Sequence, residues 1–381
     1  MTNYDLILET LYRYGTRRIF VYPGHTTIAL LDKINRDYKD KLQLVVASSE
    51  QEAMAAADAY ARLQGLGAVI VTFGVGSLST ANFAVNSYVS RSPVVIISGR
   101  PAAAERRSNF VCSSNGNLNS YIGAFSALGI PSFDFTSVES FQGLVEFART
   151  ESRPVYVEIE PDTGTDEARE LLYENYRTLR DPAEKLARRF THWMAEDLID
   201  YSLPGPLDIK SINQDISHSY IVYDVGESVF AASQLVPLLK YPNTQVLTPI
   251  PWVSMGFALP AAVGVANYGG EVIAITGDGS FRLSMLSLTT IARYRLNVKI
   301  ILIDNNGFET EKYLSDDAMN ANYNQLSLID YPRLVDSMGI RLYSDLNDML
   351  SYIGPSVFIL KRDKASPRME QFCLDHIRSS I

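Results

Sequence analysis

The sequence predicts an α/β protein built from two doubly wound parallel-sheet domains. Three observations carry this. β-rich apolar runs recur along the chain, each ends in a small glycine-containing or acidic turn, and a helical stretch follows most of these turns. The pattern is written in two blocks, separated by a charge-rich stretch without strand signals. A chain of 381 residues is long enough for two domains of ordinary size. They are expected at 1–165 and 205–381, with a helical linker at 166–204.

In the first block an amphipathic helix is expected over Tyr4–Tyr14, then a strand over Arg18–Tyr22 that ends at Pro23-Gly24-His25. A helix over Thr27–Tyr38 and a strand over Leu42–Val46 lead to Ser48-Ser49-Glu50. The alanine-rich run Gln51–Leu63 makes a helix that can pack closely. Gly67–Thr72 is a near-continuous apolar strand that ends in Phe73-Gly74-Val75-Gly76. A helix over Ser79–Ser90, a strand over Pro93–Ser98 with its tip at Gly99-Arg100-Pro101, and a strand over Pro154–Ile159 close the block. Charges then crowd in from Thr163 until Pro204-Gly205-Pro206 punctuates the stretch.

The second block has a helix over Leu207–Ile216 and a strand over Tyr220–Asp224, which turns at Val225-Gly226-Glu227-Ser228. Val246–Ile250 is the next strand, and Val253-Ser254-Met255-Gly256 leads into an alanine-rich helix. The strand Glu271–Thr276 ends in Gly277-Asp278-Gly279-Ser280 and feeds a helix over Phe281–Arg293, apolar at Phe281, Leu283, Leu286, Leu288 and Ile291. Lys299–Asp304 ends in Asn305-Asn306-Gly307-Phe308, and a strand over Ser356–Leu360 and a helix from Pro367 follow. Ligands of open α/β sheets sit at the carboxyl ends of the strands. Glycines there let backbone approach a phosphate, and a helix N-terminus favours an anion. Asp278 and Asn305 add two hard oxygen ligands that suit Mg2+ held against a diphosphate. A Gly-Asp-Gly turn alone is an ordinary feature; a second oxygen-rich tip on the next strand gives it weight.

Composition narrows the class. A net charge of −9 argues against a nucleic-acid partner. No apolar run is long enough to span a membrane, and the N-terminus lacks the basic and apolar regions of a signal peptide. Cys112 and Cys373 have no metal-site spacing, and His25, His192, His218 and His376 show no zinc-type pairing. A reduced, cytoplasmic protein is expected.

The stretch from Gly277 to Glu311 resembles the thiamine-diphosphate motif, Gly-Asp-Gly followed further on by Asn-Asn. Its tail, Asp304-Asn-Asn-Gly-Phe-Glu-Thr-Glu-Lys312, is similar to the Asn-Asn-x-Gly-Tyr-Thr-x-Glu-Lys signature of the pyruvate decarboxylase group. The run Glu50 to Arg62 resembles the family's Glu-x-x-Ala-x-x-Ala-Ala-Asp-Gly-Tyr-Ala-Arg, and Thr72-Phe-Gly-Val-Gly-Ser77 is nearly the decarboxylase Thr-Thr-Phe-Gly-Val-Gly-Glu run. Met255 in Ser-Met-Gly-Phe-Ala-Leu-Pro resembles the acetolactate synthase version of the same region. The resemblance implies a pyrimidine-binding first domain and a diphosphate-binding second one. With no middle domain, the plan is closest to that of phosphonopyruvate and sulfopyruvate decarboxylases.

The same resemblance implies thiamine diphosphate and Mg2+ as cofactors. It places Glu50 at the aminopyrimidine, Met255 beneath the bent cofactor, and the Val253 carbonyl at its amino group. Asp278, Asn305 and the Gly307 carbonyl would hold the metal, with Gly226, Glu227, Gly277, Gly279, Ser280 and Phe308 lining the cofactor. Glu311 falls on the catalytic glutamate. His25 replaces the aspartate of pyruvate decarboxylases, and the twin histidines of those enzymes are missing: their places fall on Ser113-Ser114 counted without gaps, or on Phe110-Val111 when Asn115-Gly116 is matched. His25, Gly74, Ser113 and Ser114 would face substrate, and Arg100, Arg106 and Arg107 could bind an extra anionic group. Taken alone, Glu50 reads as a helix cap, Glu311 as a surface charge and Met255 as a core residue. The function implied is non-oxidative decarboxylation of a 2-oxo acid by a homodimer or homotetramer with sites at subunit interfaces. Carboligation with the same cofactor, and a cofactor-binding but silent assembly subunit, stay open beside it.

Overall fold

Parallel strands buried on both faces need apolar side chains on both, and Gly67–Thr72 and Val94–Gly99 are buried almost throughout. The computed structural model describes residues 2–101, 120–135, 138–160, 219–235, 245–250, 252–313, 324–362 and 367–372. The chain divides into two compact units, Met1–Arg189 and Phe190–Ile381. The expected linker 166–204 and the helix Leu207–Ile216 lie outside the described residues.

The first unit runs α1 (Asn3–Arg13), β1 (Arg18–Val21), α2 (Ile28–Lys33), β2 (Gln43–Val46), α3 (Glu50–Gln64), β3 (Gly67–Thr72), α4 (Val75–Ser79), α5 (Ala81–Val89), β4 (Val94–Gly99), α6 (Ser120–Ala127), β5 (Ser132–Asp134), α7 (Val138–Glu151) and β6 (Val155–Ile159). Thr2 and Asp5 cap α1 reciprocally, and Asp5 also pairs with Lys33 at 2.8 Å, which ties α1 to α2. Ile7, Leu8 and Leu11 of α1 and Phe141 and Val145 of α7 bury against Ile19, Ile70, Ile97 and Val157 of the sheet. Each such side chain contributes about 1.5–3 kcal/mol on burial.

The second unit runs β7 (Ser219–Tyr223), α8 (Glu227–Leu235), β8 (Gln245–Leu247), α9 (Ala258–Tyr268), β9 (Glu271–Gly277), α10 (Asp278–Ser284), α11 (Ser287–Arg293), β10 (Val298–Asp304), α12 (Glu309–Lys312), α13 (Tyr331–Ser337), β11 (Arg341–Tyr343), α14 (Leu346–Ser351), β12 (Ser356–Lys361) and α15 (Pro367–Phe372). Both sheets are six-stranded and parallel throughout, ordered β2-β1-β3-β4-β6-β5 and β8-β7-β9-β10-β12-β11. Counted from its own first strand, each therefore has the same order. The chain reverses its winding between β1 and β3, and between β7 and β9, and these switch points are where a crevice opens.

Two expected helices are broken. The one over Phe281–Arg293 starts earlier, at Asp278, and divides after Ser284, whose hydroxyl donates to the Ser280 carbonyl at 3.2 Å. The one over Ser79–Ser90 divides at Thr80, whose hydroxyl donates to the Ser77 carbonyl at 2.6 Å. Both are side chains that compete with the backbone for helical carbonyls.

Candidate active site

In the first unit the tips of β1, β2 and β3 meet through side chains. The Thr26 and Thr72 hydroxyls lie 2.8 Å apart, and Thr26 accepts the Phe73 N–H at 3.2 Å. Ser49 caps α3 by accepting the Glu52 N–H at 3.1 Å, and the Glu52 carboxylate accepts the Ser48 N–H at 3.0 Å. Capping is thus done by Ser49 and Glu52. Glu50, half-buried, makes no hydrogen bond to the described residues. Its Oε1 would lie only 3.3 Å from a Cβ placed on Gly76, so the carboxylate reaches across β1 to the tip of β3. Gly74, at φ +72°, opens α4 on the same edge, and His25 is exposed at the β1 tip. A helix-start glutamate that leaves the capping to its neighbours is available for a ligand.

Arg100 is a correction. It is buried, with Nη1 2.5 Å from Asp134 and Nε 2.9 Å from Glu158, so it faces inward rather than toward an anion. Tyr156 donates to Glu158 at 2.9 Å, and its hydroxyl oxygen lies 3.0 Å from that of Ser77, which extends the buried network. Burial raises the Glu158 carboxyl to about 7, against the opposing pull of Arg100. Arg106, Arg107, Ser113, Ser114, Cys112 and Cys373 lie outside the described residues.

In the second unit Asp278 follows β9 and is buried, with Oδ1 accepting the Gly279 N–H at 2.9 Å. Its Oδ2 has no hydrogen-bond partner among the described residues, and burial, reinforced by the charge of Asp304, raises its pKa to about 6. One terminal atom of the Asn305 amide lies 3.0 Å from Asp278 Oδ1 and 3.1 Å from the Gly307 carbonyl oxygen. With nitrogen at that position the amide donates to both oxygens; with oxygen there, three oxygens converge. Octahedral Mg2+ with bonds of 2.0–2.1 Å sets neighbouring ligand oxygens about 2.9 Å apart, which this set matches. Among the described residues no group of three His, Cys, Asp or Glu side chains could hold a metal; this set instead combines a carboxylate, an amide and a backbone carbonyl.

A Cβ on Gly279 would lie 3.0 Å from the Phe308 ring and 3.2 Å from Met255 Cε, so both side chains pack tightly on the glycine and would have to give way to a larger residue. Ser280 beside it is buried. Val253 has φ +63°, which is costly for a β-branched residue and characteristic of functional backbone. Asp224, which sequence reasoning placed only as a strand end, is fully buried. Its carboxylate accepts the Phe257 N–H at 2.7 Å and the Thr276 hydroxyl at 2.8 Å. It thereby caps α9 from another strand and anchors the turn that carries Met255. Burial raises its pKa to about 6. Gly226 and Glu227 lie at the β7 tip, and the Glu227 carboxylate pairs with Arg362 at 2.6 Å. Glu311 is exposed on α12, whereas Glu309 is buried and pairs with Lys312 at 2.7 Å.

Two switch-point edges, one with a glutamate not engaged by the described side chains and one with an oxygen cluster beside a glycine turn, define an α/β protein that holds a cofactor at its strand tips. Residues 1–119 match the N-terminal TPP binding domain of thiamine pyrophosphate enzymes, and residues 224–353 match their C-terminal TPP binding domain. The two matches cover well over half of the chain, which belongs to the thiamine pyrophosphate enzymes. It is 41% identical over 98 residues to an alpha-keto-acid decarboxylase of Mycobacterium avium (26% of this chain, 17% of the relative). It is 30% identical over 165 residues to a pyruvate decarboxylase of Aspergillus terreus (42% and 28%) and 28% identical over 209 residues to the acetolactate synthase large subunit of Porphyra purpurea (49% and 34%). The matched stretches span about a third or less of these relatives' length.

Proposed function

We propose that the chain catalyses thiamine-diphosphate- and Mg2+-dependent, non-oxidative decarboxylation of a small 2-oxo acid, as a carboxy-lyase. The observation that carries this is the presence in one chain of two separate features: Glu50 on the first unit, whose carboxylate makes no hydrogen bond to the described residues, and the Asp278–Asn305–Gly307 oxygen set on the second. When bound, the cofactor would supply a nucleophilic carbon and an electron sink for decarboxylation. The protein's part is to hold it and to manage protons. Glu50 would share a proton with the pyrimidine ring. Asp278, Asn305 and the Gly307 carbonyl would hold Mg2+, with Gly226, Glu227, Gly277, Gly279 and Ser280 along the diphosphate. Met255 and Phe308 would give apolar support, and the carbonyl of the strained Val253 would accept from the amino group. Glu311 would move a proton at the carbon that loses carboxylate. His25 and Gly74 would orient the substrate, and Arg106 and Arg107 would select one with a further anionic group. A homodimer or homotetramer in the cytoplasm, with a pyrimidine-binding domain at 1–165, a linker at 166–204 and a diphosphate-binding domain at 205–381, completes the reading.

Carboligation is the second reading, favoured by Met255 and by the 209 residues aligned with an acetolactate synthase subunit. The test is carbon dioxide release from a panel of 2-oxo acids, with and without an aldehyde acceptor, by the wild type and Glu311→Gln. Release by the wild type and its loss in the variant are expected. No release from any 2-oxo acid sinks the decarboxylase, full turnover in Glu311→Gln removes that residue's role, and a ligated product with acceptor favours the second reading. Cofactor bound with no proton exchange at its reactive carbon would mark a silent assembly subunit.

A further inference from the structure

Glu227 opens α8 just beyond β7, and Arg362 directly follows β12. In the sheet β10 and β9 lie between those strands, a separation of roughly 14 Å at about 4.8 Å per strand. Yet Arg362 Nη1 lies 2.6 Å from Glu227 Oε1. The two side chains therefore span the tips of β9 and β10, which carry Gly277-Asp278 and Asp304-Asn305. The Arg362 N–H donates to the Asp304 carbonyl at 2.9 Å, which fixes its backbone beside the oxygen cluster. Gly226, next to Glu227, faces Thr310: a Cβ there would lie 3.5 Å from that hydroxyl. The side chains are 9% and 3% exposed, and the ion pair uses one of five guanidinium N–H groups, the described residues taking up no other.

Charge gives this pair a purpose. Glu227, Asp278 and Asp304 put three carboxylates around the strand tips, and a diphosphate would bring further negative charge into a region where burial strengthens repulsion. We infer that Arg362 is a positioning residue for the diphosphate: it neutralises Glu227 and presents its remaining N–H groups to the phosphate oxygens. A guanidinium suits this because its planar fork bonds a carboxylate and a phosphate at once. No local sequence pattern marks Arg362. The inference rests on the cofactor reading above.

The test titrates the full chain, with Mg2+ present, against thiamine diphosphate and against thiamine. Loss of a charge-assisted contact should weaken thiamine diphosphate binding by Arg362→Met about 10- to 100-fold while moving thiamine by about twofold at most. Glu227→Gln/Arg362→Met relieves the unpaired Glu227 carboxylate but not the lost phosphate contact, so it should recover only part of that loss. Arg362→Met binding thiamine diphosphate like the wild type overturns the inference. So does an equal loss of both ligands, or a double variant that binds thiamine diphosphate like the wild type. Should Arg362→Met fail to fold, the double variant is compared with Glu227→Gln, where a loss of about threefold or less, no more than weak second-order contacts supply, is the overturning result. If the wild type itself binds no thiamine diphosphate, the cofactor site falls as well, which separates the two failures.

Discussion

Glu158 shows what burial does to a single acid. Its carboxyl is almost inaccessible and its pKa rises from 4.5 to about 7, chiefly through burial, although Arg100 lies beside it. The folded chain keeps a proton there that the unfolded chain gives up. Stability from this group is therefore complete below about pH 4.5 and is lost as pH rises through 7, an effect of about 3 kcal/mol. The melting temperature of Glu158→Gln should fall less steeply between pH 5 and 7.5 than that of the wild type; parallel curves would show that the network holds Glu158 ionised throughout. The strand ending in Glu158 was legible as an apolar run, but its partners were not. Arg100 and Asp134 are far away in sequence and follow no period. For the same reason Asp224 and Arg362 escaped a reading that found Glu50, Asp278 and Asn305 through compact local motifs.

Elements were legible in proportion to their length and apolar continuity. Gly67–Thr72 is where the sequence placed it, and most other long strands shift by a residue or so. The edge strands β5 and β11 have three residues each, too few to show alternation, and went unseen with α6, α7, α13 and α14. The alanine-rich α3 was expected to pack closely; the structure shows that it does so on β3, which makes a sharp contrast between two neighbouring glycines. A Cβ on Gly67 would lie 2.2 Å from the Ala57 carbonyl oxygen, a backbone atom that cannot swing aside. Gly65 has φ +85° with open space around it. Gly67→Ala should cost about 3 kcal/mol or more and lower the melting temperature by roughly 6–12 °C, whereas Gly65→Ala should cost about 1 kcal/mol through backbone conformation alone. Thermal unfolding of the two variants side by side checks this; equal losses would show that helix and strand can move apart.

For the whole molecule the expectation concerns linkage. A cofactor that binds only the folded chain stabilises it by about 2.7 kcal/mol at a hundredfold excess over its dissociation constant. Thiamine diphosphate with Mg2+ should raise the melting temperature, and a chelator should reverse most of the rise, because the oxygen set on the second unit lacks a cation without it. Stabilisation unaffected by the chelator would remove Mg2+ from the reading. The two-block organisation was legible because strand, turn and helix recur with the same grammar, and the sheets repeat one strand order. That order also has a consequence in time. In the first sheet β6 separates β4 from β5, so β4 waits for residues 155–159 before its outer edge is paired. Ribosomes add about 5–20 residues per second, so the nascent chain carries an open, apolar strand edge for roughly 3–11 s. Throughout that interval a neighbouring nascent chain can pair where β6 belongs, which makes the spacing of ribosomes on the message a determinant of yield.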